Sequence, residues 1–529
     1  HRCWLADQRG QESNEGHRKR SKTAIGPLLA PRILSMASPE LPPSSRAGLC
    51  VCLGVVALAG MLRWHGLDAG LDLRPRADAL EYALAAESLA TGDGYTIEVD
   101  GDRYPPRYPP ANSWLAAPWV LWLGDGARAV VFSNWLWSTI AVWLLVIGAR
   151  RTLGDQVAVV AGLAMALAPL AITSAGRAMS EGPSQAATCL CLFLGLKALR
   201  SGAGWGRLGV LCGLACTLRF THALFLAPVA LLCLARRTDP RVQPGCLRAA
   251  GGFLLGLLPL LAAQDAAFGT PLSTGYGWWV PDIYGAGLTF GWDYVVEAPL
   301  EGGTGSGNLE VIALSLIGMG DLLAWPAALL TLAGMVVGLR RDSGEVQGAA
   351  TVMGWGFLLA LGAFHLPYFH QEERFLLPAL GPLCLVAGLC AGAGPVGRAS
   401  AAAALVACIP AALDPPQHLA GDIGALPDGT ITDGSWEVRS LAAAAAAMEG
   451  NAVLVARTPA ALFERHVRRD SNRTLVTVGY DEHRSRVRRF SLRPLREGPP
   501  PGWIEDVIVP PLAPARAERA RFALAAHMD

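Results

Sequence analysis

The sequence predicts an all-α polytopic membrane protein of about eleven transmembrane helices, followed by a small C-terminal α/β domain outside the membrane. Three observations predict it. The 529 residues are 52% hydrophobic and only 16% charged, with a mean hydropathy of +0.34, against roughly 25% charged in soluble domains. The apolar residues gather into long runs. The loops between those runs are alternately basic and not basic, the pattern that orients helices across a bilayer.

Taken in order, residues 1–46 carry Arg18, Lys19, Arg20 and Lys22 and fit neither a signal peptide nor a domain. They are read as a disordered basic tail or an upstream translation artefact. The expected spans are 47–64, 127–148, 155–174, 184–199, 206–220, 221–236, 248–268, 322–339, 349–368, 375–392 and 396–413. The run 206–236 is interrupted by Arg219, Thr221 and His222, which predicts two short spans meeting at a polar bend. Residues 112–123 are too short to span and carry Trp114, Trp119 and Trp122, as an interfacial helix does. With the N-terminus in the cytoplasm, the inside loops hold Arg150 and Arg151; Lys197, Arg200 and Arg207; Arg236, Arg237, Arg241 and Arg248; Arg340 and Arg341; and Arg398. An odd number of spans then places the C-terminus outside a plasma membrane. Residues 414–529 change character. The strand-like runs Asn451–Ala456 and Thr474–Val478 predict the α/β domain.

Some function classes fall away. A net charge of +1 offers no field for nucleic acid. The twelve cysteines lie mostly in apolar runs and show neither a disulfide framework nor a zinc spacing.

Four polar segments share the outer face: 65–126, 175–183, 269–321 and 365–374. The first contains a long charged stretch, DLRPRADALEYALAAESLATGDGYTIEVDGDRYPPRYPP from Asp72 to Pro110, which cannot lie in hydrocarbon. Asp78 and Tyr82 are four residues apart, so a helix puts them on one face, with Glu81 a turn from Asp78. A carboxylate at a semi-dry interface suits general-base work, although Asp78 equally suits a helix cap or a pair with Arg76. Arg177, Arg219, His222, His370 and Arg374 are cations at the membrane edge. Arginine there is costly unless paired and is well shaped for phosphate. Glu181 serves either the site or only the start of the next helix. Arg219 is either a phosphate ligand or a structural partner of a carbonyl or of Glu181. Tyr276, Trp278, Trp279, Tyr284, Trp292 and Tyr294 form an interfacial belt or a sugar platform. His365 and His370 with Glu372 are solvated loop residues or metal ligands of no specific spacing.

The pattern Asp78-x3-Tyr82, Gly92-x-Gly94, Tyr104-Pro-Pro and Tyr108-Pro-Pro resembles the first external loop of GT-C-fold glycosyltransferases. These include protein O-mannosyltransferases, the aminoarabinose transferase of lipid A, and transferases that decorate lipopolysaccharide core. Arg177-x3-Glu181-Gly-Pro is similar to their acidic outer loop. Leu218-Arg219-Phe220 resembles their mid-chain arginine, and Glu373-Arg374-Phe-Leu-Leu-Pro their Arg-Tyr-Leu-Leu-Pro motif. The resemblance covers about residues 47–413. It implies a polyprenyl-phosphate-linked sugar donor, a lipid, glycan or protein acceptor, inversion at the anomeric carbon, and no metal or other cofactor. It implies that Asp78 is the base, that Glu181 lines the site, and that Arg219 and Arg374 hold the donor phosphate. Glu81, Tyr82, Arg177, His222 and His370 complete the expected substrate-binding set. The pattern departs at Ala79, where protein O-mannosyltransferases complete an Asp-Glu pair, and at Arg107-Tyr108, where the aminoarabinose transferase has Lys before Pro-Pro. The alternative functions are a transporter or flippase of lipid-linked sugars, and a non-catalytic envelope assembly protein.

Overall fold

The computed structural model describes residues 46–71, 77–99, 102–240, 242–279, 284, 289–295, 318–340, 344–368 and 373–415, with five short strands beyond them. The first helix, α1 (Arg46–Leu71), leads to α2 (Ala77–Thr91), which carries Asp78, Glu81 and Tyr82. Gly92 and Gly94 then adopt φ of +86° and +85°. Only glycine takes that conformation without strain, and the turn feeds a hairpin of β1 (Ile97–Val99) and β2 (Asp102–Tyr104). The Tyr-Pro-Pro repeats follow, and then α3 (Ala111–Leu123), whose Trp114 and Trp122 are exposed, as a helix lying at headgroup level requires.

The bundle continues with α4 (Gly126–Leu153), a bent pair α5 (Asp155–Ala166) and α6 (Pro169–Ala175), then α7 (Glu181–Ser201) and α8 (Trp205–Ala215). The expected polar bend is a 3₁₀ turn, Phe220–Phe225, that runs into α9 (Leu226–Ala235). Then come α10 (Gly245–Phe268), the short α11 (Gly275–Trp279), α12 (Trp325–Leu339) and α13 (Glu345–His365). A final group joins the 3₁₀ segment Glu373–Ala379, α14 (Leu380–Gly388), a second 3₁₀ segment Leu389–Ala393, and α15 (Pro395–Leu413).

Every expected span coincides with a helix or a run of helices, but they are not alike. Among the described residues, six segments are long and apolar enough to cross a membrane, and the bent pair makes a seventh. Residues 205–215, 220–235 and 325–339 are apolar but shorter. Helix α7 is long yet carries Glu181, Ser184, Gln185 and Thr188, all buried. Its first two turns face protein, whereas Leu190 further along is exposed. The span Arg374–Ala393 is 89% buried, against 17% for Gly245–Phe268 and 22% for Pro395–Leu413. It is the core of the bundle, packed between α5, α7, α12 and α13. The outer faces of the other helices expose large apolar side chains such as Met61, Leu254, Leu329 and Val406, as a lipid-facing surface does.

Two packing devices set the bundle geometry. The pair α5/α6 bends by 59° at Pro169, which cannot donate the helical hydrogen bond at that position. The fully buried Arg63 of α1 donates to the Met165 carbonyl at 2.9 Å beside the break. Helices α8 and α10 touch backbone to backbone through small residues. A Cβ on Gly209 would lie 2.0 Å from the Ala249 carbonyl oxygen, and one on Gly252 would lie 2.2 Å from that of Gly206.

Beyond Pro415, β5 (Val453–Ala456) pairs in parallel with β6 (Thr474–Thr477) and with β7 (Val507–Ile508), and β3 (Gly424–Ala425) pairs with β4 (Ile431–Thr432). The two longer strands fall within the runs expected as strands. The helices expected at 441–448 and 463–469 lie outside the described residues.

The close approach is testable by adjacent substitutions. Gly252→Ala should destabilise the protein by about 1–3 kcal/mol through overpacking. Gly251→Ala, with nothing within 4 Å of its Cβ, should be neutral or slightly stabilising. Thermal unfolding in detergent, monitored by circular dichroism, compares the two.

Candidate active site

Three remote pieces of chain meet at the end of the buried span. Helix α2 supplies Asp78 and Glu81, the turn into α7 supplies Met179 and the first residue of α7 supplies Glu181, and the 3₁₀ segment at the head of α14 supplies Arg374. Arg374 Nη2 lies 3.3 Å from Asp78 Oδ2, and its Nη1 lies 3.5 Å from Glu181 Oε1 and 3.2 Å from Met179 Sδ. Arg219 Nη2 donates to the same Glu181 oxygen at 3.2 Å. Arg107, in the second Tyr-Pro-Pro repeat, pairs with Glu81 at 2.7 Å and with Asp78 at 3.7 Å. Three carboxylates thus face three guanidinium groups in one continuous network. Phe375 lies under it, with the Arg219 and Arg374 guanidinium carbons 5.8 and 5.6 Å from its ring centre.

Each acid has a different position. Glu81 grips Arg107 twice, since the Arg107 backbone N–H donates to Oε2 at 3.0 Å while its guanidinium donates to Oε1. Glu81 therefore fixes the Arg-Tyr-Pro-Pro turn. Burial, with the Asp78 charge beside it, raises the Glu81 carboxyl above the usual range, against the pull of Arg107. Glu181 is fully buried, and its Oε2 has no hydrogen-bond partner among the described residues. The Asp78 side chain is 27% exposed, so it meets solvent or substrate where Glu181 does not.

Local structure explains why these groups arrive. Asn134, inside the apolar α4, donates to the Ser174 and Arg177 carbonyls at 2.6 and 3.0 Å and accepts from the Gly182 N–H at 2.6 Å. It pins both ends of the turn that presents Glu181. A Cβ on Gly182 would lie 2.2 Å from the Asn134 carbonyl oxygen, so glycine follows Glu181 for reasons of space. The Tyr95 hydroxyl donates to the Tyr108 carbonyl at 2.9 Å and braces the repeat. Tyr82 stacks on Tyr108 at 4.9 Å, Tyr108 meets Tyr276 at 5.6 Å, and Tyr276 meets Tyr284 at 5.0 Å. Burial raises the phenols of Tyr82, Tyr108 and Tyr276, so they remain neutral donors.

The expected residues divide. Asp78, Glu81, Glu181, Arg219 and Arg374 join the ion network, and Tyr82 flanks it. Arg177 contributes its backbone carbonyl to Asn134. His222 is buried beneath, 3.5 Å from Thr188 Oγ1, and its Nε2 has no hydrogen-bond partner among the described residues. His370 and Glu372 lie outside the described residues, as does Arg76. His365 stacks on Phe375 at 4.9 Å. Arg107, Asn134, Met179 and Phe375 were not expected in the site. An asparagine in the middle of an apolar span was the signal available for Asn134, and an arginine between two proline pairs was the signal for Arg107.

Two outcomes test this geometry. Arg374→Gln leaves Glu181 short of a partner in a dry site and should cost about 3–5 kcal/mol, seen as a lower unfolding temperature. Glu181→Gln combined with it should restore part of the loss. The raised Glu81 carboxyl means the folded chain holds that proton more tightly than the unfolded chain. Its contribution to stability is therefore full below the ordinary value of 4.5 and is lost as pH rises through the folded value. Glu81→Gln should flatten the unfolding temperature against pH in that window.

Comparison with known proteins bears on the fold. Residues 107–262 match the family model described as dolichyl-phosphate-mannose-protein mannosyltransferase. The crystal structure of ArnT from Cupriavidus metallidurans bound to undecaprenyl phosphate superposes with a TM-score of 0.58 at 14% identity, covering 88% of this chain and 90% of that one. Its apo form gives 0.53 at 16% identity, covering 85% and 88%. No curated protein sequence matched. The fold is the one seen in ArnT, and the stretch matched by the mannosyltransferase model takes in Arg107, Glu181 and Arg219.

Proposed function

We propose that the chain is an integral membrane glycosyltransferase that moves a sugar from a polyprenyl-phosphate donor to an acceptor hydroxyl at the outer face of the plasma membrane. The observation that carries this reading is the sharing of one partly exposed carboxylate, Asp78, between Arg107 and Arg374. The donor's phosphodiester offers two non-bridging oxygens, a better partner for a guanidinium fork than a single carboxylate oxygen at 3.3–3.7 Å. Donor binding then draws Arg107, Arg374 and Arg219 onto the phosphate. Asp78 loses its cations and becomes more basic, because nearby positive charge is what holds a carboxylate ionised.

The step that follows balances simply. The acceptor oxygen attacks the anomeric carbon from the face opposite the phosphate, and its proton passes to Asp78. The bond from the anomeric carbon to the phosphate oxygen breaks, and polyprenyl phosphate leaves with the electron pair, its growing charge met by the arginines. Glu181, enclosed as it is, holds Arg219 and Arg374 in place and does not touch the sugar. Supporting this reading are the fold shared with ArnT, whose crystal structure holds undecaprenyl phosphate, and the family match over residues 107–262.

Asp78→Asn should lower transfer by roughly 10²–10⁴-fold, the usual weight of a general base, while leaving undecaprenyl phosphate binding intact. Arg374→Lys should instead weaken that binding. Membranes containing each variant, supplied with radiolabelled polyprenyl-phosphate sugars, separate the two effects. Full transfer by Asp78→Asn would remove the base from the scheme.

A further inference from the structure

A groove of about 430 Å³ runs along the surface seam between α8 and α10, within the roughly 300–1,000 Å³ of small-molecule sites. Val210, Leu211, Leu214 and Leu255 line it with hydrocarbon, and Arg207 is its one charged lining residue. Its glycines play two parts. Gly206 and Gly252 are where the helices touch, since a Cβ on Gly252 would lie 2.2 Å from the Gly206 carbonyl oxygen. Gly251 is open, with nothing within 4 Å of its Cβ position, so its missing side chain makes a notch. The groove lies away from the ion network. Helix α8 is 11 residues long, about 16 Å. Arg207 stands in its first turn, and Arg219 of the network follows its far end.

Two cations stand at the near end of the groove. Arg207 lines it, and Arg248 lies three residues before Gly251 on α10, hence on the same face. A Cβ on Gly206 would lie 3.7 Å from the Arg248 carbonyl oxygen, which sets the two arginine-bearing backbones side by side. Both residues are exposed, and among the described residues neither guanidinium has a hydrogen-bond or ion-pair partner. Other loop arginines do find acids, as Arg150 does with Asp155 and Arg236 with Glu345.

The surroundings select the occupant. Only 17% of the α10 span is buried, and Leu254 and Leu258 stand exposed beside Leu255, as lipid-facing side chains do. A neighbouring helix packs closely where small residues repeat every fourth position. Gly251 instead has exposed leucines four residues away on both sides, Leu247 and Leu255, so the notch admits a flexible chain rather than a helix. An acyl chain fills it and brings no polar group that needs pairing there. A phosphate at the head of that chain meets two guanidinium forks, whereas a choline headgroup brings a cation of its own to them. We propose that the α8/α10 groove binds an anionic glycerophospholipid, with one acyl chain beside Gly251 and its phosphate on Arg207 and Arg248. This lipid site does not depend on the glycosyltransferase reading.

Native mass spectrometry of the full chain tests it, with the protein released from nanodiscs that hold phosphatidylglycerol and phosphatidylcholine in equal amounts. Phosphatidylglycerol should be retained in preference by about tenfold, the scale of cationic contacts at a headgroup surface. Arg207→Gln combined with Arg248→Gln should remove that preference. Gly251→Leu, whose side chain enters open space, should fill the notch and lower the retained phosphatidylglycerol about as far. Equal retention of the two lipids by the unaltered protein would overturn the proposal. So would a preference that survives both arginine changes, or retention that Gly251→Leu leaves as it was. Dimers of the unaltered protein that Gly251→Leu dissociates would give the groove to a second copy of the chain, and would overturn it as well.

Discussion

Arg374 is the group on which the ion network of this protein turns. It stands at the head of the one span enclosed on all sides and reaches Asp78 with one nitrogen and Glu181 with the other. These partners belong to segments far apart in the chain. A charge at that depth is tolerated only when paired, so the ion pairs and the helix packing are conditions for one another. Remove the pairing and the span ends in a buried cation. Remove the packing and the carboxylates have nothing to meet.

The supporting structure is devoted to holding turns still. Asn134 fixes the turn that carries Glu181. Glu81 and Tyr95 fix the proline-rich turn that carries Arg107. Arg63 occupies the break between α5 and α6, just upstream of that same Glu181 turn. In each case a polar side chain satisfies backbone groups that a bend or loop leaves open, which is obligatory where water is scarce. The glycines between α8 and α10 act in the same direction by removing side chains where two backbones must touch. The result is a site whose charged groups arrive already oriented, the arrangement electrostatic catalysis favours.

The balance of charge at the site has a chemical meaning. Three carboxylates face three arginines there, so on the proposed reading an arriving phosphate enters by exchange of partners. Only Asp78 is both paired with two arginines and open to the outside. The aromatic side of the site, from Tyr82 through Tyr284, is uncharged.

The periodic signals were local, and the sequence determined them by itself. Long apolar runs require helices in lipid, and Gly92-x-Gly94 requires a turn with positive φ. The polar island at 72–110 was legible as lying outside hydrocarbon because acids and arginines cannot lie in it. Pairing was not legible, because it depends on which segments meet. The spacing of Asp78, Tyr82 and Glu81 suggested one face, and Asp78 and Glu81 do meet the same Arg107, but the spacing could not name that partner. Arg219 read equally as a phosphate ligand or as a partner of Glu181, and the tertiary structure shows it on Glu181. Glu181 carried no mark of complete burial, because burial is set by α4 and α14 rather than by its neighbours in sequence. The span count shows the same limit. Helix α7 was recognisable as a helix, but its polar face reads as a weakness until the surrounding helices cover it. Local chemistry chose the elements; their long-range contacts, in a medium that tolerates no unpaired charge, chose the site.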